Sequence, residues 1–108
     1  MLSNTSEAGR SPASGAEQRV RRSRVLVADG DQDVADLVTR LLKSRGLEVG
    51  GANRGLQLLS MIRTNPPDLL ILDATLPEVH GFDIVAKLRS NERYRRIPII
   101  MTSSVFRG

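Results

Sequence analysis

Between Asp68 and Asp73 the chain reads Leu69-Leu70-Ile71-Leu72, four large aliphatic residues without interruption. Successive side chains of a strand point to opposite faces. A strand with this sequence is therefore apolar on both sides, and it is stable only where both of its faces are covered. That is the position of a central strand in a parallel sheet flanked by helices. Asn65-Pro66-Pro67 just ahead of it stops any preceding helix.

The surrounding chain supplies the rest of such a fold. Val25-Leu26-Val27-Ala28 is a short apolar run ending at Asp29, suited to a second buried strand. Asp31 can cap a helix in which Val34, Leu37, Val38, Leu41 and Leu42 form one apolar stripe. Lys43 and Arg45 suit its last turn, and Gly46 ends it. Leu47 to Val49 reads as a weak edge strand before Gly50-Gly51. A second helix is expected over about 54–63, with Leu58, Leu59 and Ile62 inward. A third is expected over 82–90, with Phe82, Val85 and Leu88 at helical spacing. Asn91 to Arg96 reads as a solvated helix end and loop. Ile97-Pro98-Ile99-Ile100-Met101 is the last strand, Pro98 being tolerable at its start. The order β-α-β-α-β-α-β, with connections long enough for right-handed crossovers, predicts a parallel sheet with helices on both faces.

Composition excludes several functions. There is no cysteine and a single histidine, so thiolate chemistry and a multi-histidine zinc site within the chain are out. No apolar run reaches the roughly 18–20 residues of a membrane-spanning helix. Ala28-Asp29-Gly30-Asp31 lacks the glycine fingerprints of P-loop and dinucleotide-binding enzymes. With three aromatic residues, Phe82, Tyr94 and Phe106, the core must be mainly aliphatic. Of the net charge of +4, most sits in the first 24 residues, which hold five Arg and two Glu. Residues 1–23 are expected to be a disordered Arg/Ser-rich tail, with the folded domain over 24–108. Arg19, Arg21, Arg22 and Arg24 invite a nucleic-acid reading. No stacking aromatic or recognition motif accompanies them, so a solubilising leader is the expectation and nucleic acid is not an expected partner.

In a parallel α/β sheet, sites lie beyond the carboxyl ends of the strands. Asp29 and Asp31 follow the first strand, Asp73 ends the third, and Thr102, Ser103 and Ser104 end the fourth. Carboxylates gathered on one rim repel and call for a cation or a raised pKa. An oxygen-only donor set points to Mg²⁺ or another hard cation. An aspartate beside such a cation can attack a phosphoryl group, giving an aspartyl phosphate.

The pattern resembles the receiver domain of two-component response regulators. Three stretches carry the likeness: 25–31, Val-Leu-Val-Ala-Asp-Gly-Asp; 67–81, from Pro67-Asp68 through Asp73 to Leu76-Pro77 and Gly81; and 97–104. The likeness covers residues 24–104. It implies a flavodoxin-like parallel sheet with helices on both faces, ending here after the fourth strand. It implies Asp73 as phosphoacceptor, Mg²⁺ held by Asp29, Asp73 and the Thr75 backbone carbonyl, and Ser103 hydrogen-bonding the phosphoryl group as a switch. Pro77 and Gly81 would shape the phosphorylation loop. The implied partner is a histidine kinase or phosphotransfer protein, and the implied role is cytoplasmic signalling, not enzymatic turnover.

Two departures qualify what the resemblance implies. Gly30 stands where the family has its second acid, and Asp31 is expected to cap a helix, so Mg²⁺ binding should be weak. The sequence stops at Gly108, before the fifth strand, whose end carries the family's phosphate-pairing lysine; Lys87 is no substitute. The fourth strand should then be an exposed edge, open to self-association or completion by a partner. The alternative is a degenerate receiver acting as a phosphorylation-independent interaction module. His80, where the family usually has Asp or Asn, is expected to be a turn residue.

Overall fold

The computed structural model describes residues 22–103. Most of the Arg/Ser-rich segment, and Ser104 to Gly108, lie outside them. Four strands and three helices alternate: β1 Arg24–Ala28, α1 Gln32–Lys43, β2 Glu48–Ala52, α2 Gly55–Thr64, β3 Leu69–Asp73, α3 Gly81–Arg89 and β4 Ile99–Thr102. All the pairings are parallel and the strand order is β2-β1-β3-β4. As expected for a buried central position, β3 has a strand on each side, and Leu70 and Leu72 are fully buried.

Alternation divides the sheet into two faces. Leu26, Leu70 and Leu72 join Leu58 and Ile62 of α2 and Ile84 and Leu88 of α3 in one core. Val25 and Val27 point the other way, toward α1. Asp31 caps α1 as predicted, accepting from the backbone N–H of Asp33 (3.0 Å) and Val34 (3.3 Å). Gly46 follows that helix in the left-handed region, at φ 86°.

Several expectations need correction. The apolar stripe of α1 does not all face the sheet: Val34, Leu37 and Leu41 are 39%, 52% and 58% exposed, Val38 and Leu42 are half-buried, and Ala35 is buried. The reason lies in β2, which extends through Gly50 and Gly51 and is longer than the weak strand expected. Glycine there lets α1 settle on its small residues, with Thr39 above Gly51. Gly50 itself is hemmed in, since a Cβ would lie 2.9 Å from Leu26 Cδ2. In α3 the inward residues are Ile84 and Leu88, and Phe82 is 66% exposed. The stretch 91–96 is not wholly solvated: Tyr94 is buried in the core, beneath Arg93, whose guanidinium lies 5.4 Å from the ring centroid. Arg24 belongs to β1, and its guanidinium donates to Glu48 (3.1 Å) and to the Asn65 carbonyl (3.1 Å), while Arg19 and Arg21 lie outside the described residues.

Leu70 is flanked by strands on both sides and covered by the core, so its removal leaves a cavity. Leu70→Ala should cost about 2–5 kcal/mol in urea unfolding. Leu41→Ala, at an exposed position, should stay within about 0.5 kcal/mol of the parent.

Candidate functional site

The strand order reverses direction between β1 and β3, and the crevice at their carboxyl ends is where such sheets hold ligands. The register puts Ala28 level with Leu72. The next residues on the two strands, Asp29 and Asp73, therefore meet at the rim. Asp73 is only 5% exposed, the one buried charged residue among those described. Its Oδ1 accepts from the Thr75 backbone N–H (2.9 Å) and the Thr75 hydroxyl (2.8 Å), which fix the carboxylate's orientation. Asp29 Oδ1 accepts from the Asp31 N–H at 2.8 Å.

Burial, together with the charges of Asp73 and Asp31 and a hydrogen bond to Asp73, raises the Asp29 pKa above its ordinary 3.8. The Asp31 N–H opposes this without reversing it. The two carboxyl groups thus share an oxygen-rich site, and among the described residues neither has an ion-pair partner. Thr102 pairs with Asp73, and its carbonyl accepts from the Ala74 N–H at 2.9 Å. That brings Ser103, the last described residue, to the same rim.

The other sequence candidates are dispersed. Asp31 spends its carboxylate on the α1 cap. Gly30 brings no ligand, and a Cβ there would lie 3.0 Å from Pro77 Cδ. His80 precedes α3 without a side-chain capping bond. Lys87 lies in the last turn of α3, lining a cleft of about 350 Å³ with Arg63, Leu59 and Ile62 of α2, far from the helix's rim end.

Sequence reasoning missed what holds the loop after β3. The Gly55 N–H donates to the Pro77 carbonyl (2.8 Å), and the Leu56 N–H to Glu78 Oε1 (3.3 Å). Glu78 thereby caps α2, whose own N-cap residue Arg54 offers no side-chain bond and instead pairs with Glu78 at 3.6 Å. Glu78 adopts φ 76°, an uncommon conformation for a non-glycine residue, which these contacts sustain. A Glu in a loop gives no local signal of such a role. Gly81 closes the loop: a Cβ there would lie 2.7 Å from Ala74 Cα and 2.9 Å from the Asp73 carbonyl oxygen.

Residues 25–106 match the sequence profile of response regulator receiver domains. The chain belongs to this receiver family. It is 34% identical over 83 residues to the DNA-binding response regulator MtrA of Mycolicibacterium paratuberculosis, a match covering 77% of this chain and 36% of that protein. It is 35% identical over 82 residues to the DNA-binding regulator RpaA of Synechocystis, covering 76% and 34%. The receiver therefore spans about a third of the length of these curated relatives. Among solved structures, a putative response regulator from Chloroflexus aurantiacus superposes with a TM-score of 0.72 at 32% identity, covering 75% of this chain and 66% of that one. The chemotaxis response regulator CheY4 of Vibrio cholerae gives a TM-score of 0.72 at 28% identity, covering 75% and 68%. The fold is thus the flavodoxin-like receiver fold anticipated from sequence.

The electrostatics and the tight loop each give an expected outcome. Because the folded protein holds the Asp29 proton more tightly than the unfolded chain does, stability falls as pH rises from about 3.8 through the raised value, and the penalty is complete above it. Asp29→Asn should therefore melt higher than the parent at pH 7, with the difference closing in acid, as followed by circular dichroism. Gly81→Ala should lower stability by about 1–3 kcal/mol, because backbone atoms at the Asp73 loop must move.

Proposed function

We propose that this receiver takes a phosphoryl group onto Asp73 from a histidine kinase or phosphotransfer protein, within cytoplasmic two-component signalling. The observation that carries this reading is the Asp73 carboxylate itself. It is buried at the switch point, oriented through Oδ1 by Thr75, and set against a second carboxylate. A carboxylate oxygen of Asp73 attacks phosphorus, the bond from phosphorus to the donor nitrogen breaks, and the donor imidazole leaves with that electron pair. The product is a mixed anhydride whose lifetime carries the signal, so the protein transmits a state and does not turn over a metabolite. Ser103, which follows β4, would donate its hydroxyl to the phosphoryl oxygens.

The donor set fits a hard divalent cation. Asp29, Asp73 and the Thr75 backbone carbonyl would hold Mg²⁺, all oxygen donors. Bound there, the cation would neutralise charge on the transferring oxygens. Only two carboxylates contribute, because Gly30 has no side chain and Asp31 is engaged at the helix cap. Binding should be weaker than in receivers with two acids after the first strand. Gly30→Asp should tighten it, at the cost of displacing Pro77. Mg²⁺ titration followed by melting temperature checks this, and unchanged affinity in Gly30→Asp would argue against it.

Incubation with acetyl phosphate and Mg²⁺, read by intact mass, tests the assignment of Asp73. A phosphate-sized gain is expected in the parent and none in Asp73→Asn. No gain in folded parent protein would favour a receiver that acts as an interaction module without phosphorylation.

A further inference from the structure

We propose that the cleft between the carboxyl ends of α2 and α3 is a binding site for a small aliphatic monocarboxylate, separate from the Asp73 rim. Crossover helices of a parallel sheet run against its strands. Both helices therefore end at the amino ends of the strands, opposite the carboxylate site. The cleft there measures about 350 Å³, within the range of small-molecule sites. Leu59, Ile62 and Leu88 give it an aliphatic lining. Tyr94 lines the same cleft and is 8% exposed, and its hydroxyl has no hydrogen-bond partner among the described residues. A buried hydroxyl in that state is destabilising, and a ligand oxygen would satisfy it.

Charge decides the class of ligand. Arg63 lines the cleft from α2 and Lys87 from α3, and no acidic residue lines it. Neither cation has an ion-pair partner or a side-chain hydrogen bond among the described residues. Each stands in the last turn of its helix, near a carbonyl end equivalent to roughly half a negative charge. Two cations against two such ends leave an excess of about one positive charge. A single carboxylate matches that excess, whereas a phosphate monoester carries roughly two negative charges at neutral pH and exceeds it. The Arg63 guanidinium offers the fork that a carboxylate accepts with both oxygens, and Lys87 adds a point charge. The aliphatic lining then takes the chain of the ligand.

Titration of the nitrogen-15-labelled full chain with octanoate, followed by amide chemical shifts, tests this. The expected result is saturable shifts clustered at Arg63, Lys87, Leu88 and Tyr94, with a Kd on the order of 1 mM for a ligand of this size. Octanol should bind about tenfold more weakly, and octyl phosphate no more tightly than octanoate. Arg63→Gln and Lys87→Gln should each weaken octanoate about fivefold, and Tyr94→Phe about threefold. Both cations are exposed, and the dispersion of each variant's spectrum reports that it is folded. The proposal is overturned by shifts that do not saturate or that cluster elsewhere, by octanol binding as well as octanoate, or by variants at all three positions that bind as the parent does. Tighter binding of octyl phosphate, or of a blocked Leu-Glu-Leu tripeptide, would equally overturn it, assigning the cleft to a phosphate ester or to a protein partner.

Discussion

The parallel register of β1 on β3 is the constraint from which the site follows. Once Ala28 stands level with Leu72, the chain has no choice but to leave both strands with an aspartate on the same rim. The aliphatic residues of those strands enforce the register: a slip of one residue would turn Leu26, Leu70 and Leu72 away from the core they share with α2 and α3. Hydrophobic burial thus holds two carboxylates together against their repulsion. Burial at that rim, and after it the charges of Asp73 and Asp31, raise the pKa of Asp29.

The remaining contacts around the site serve to keep it in place. Thr75 fixes Asp73 by two short hydrogen bonds, and Gly81 lets the chain pass directly over Ala74. Glu78 ties the same loop to the start of α2 through a backbone N–H and an arginine. The loop after β3 is therefore joined to the neighbouring helix. On the opposite face of the sheet, α1 rests on a glycine-rich strand and keeps its larger apolar side chains outside.

Much of this was legible in the sequence, and the reasons differ by element. The four-residue aliphatic run of β3 announces a doubly covered strand. The carboxylates read as rim residues because strand ends in parallel sheets are rims. Asp31 is a local cap, and local hydrogen bonding is readable from neighbours. What was not legible depends on partners distant in the chain. The helical period shows that α1 has an apolar stripe, but its seating depends on a residue far along the chain, Gly51 of β2, beneath Thr39. Phe82 fits the helical spacing yet faces outward, because Ile84 and Leu88 fill the core. Tyr94 lies among arginines in sequence, and in space it lies in the core beneath one of them, Arg93. Glu78 caps a helix that begins 23 residues earlier in the chain.

The account rests on Asp29 and Asp73 forming one electrostatically coupled site that a cation would relieve. The most direct measurement is a carbon-13 NMR titration of the aspartate carboxyl groups in the parent and in Asp73→Asn, each with and without Mg²⁺. The account predicts that Asp29 in the parent titrates above its ordinary 3.8, moves down in Asp73→Asn, and moves down on adding Mg²⁺. An Asp29 that titrates at its ordinary value, indifferent to both Asp73 and the cation, would contradict it.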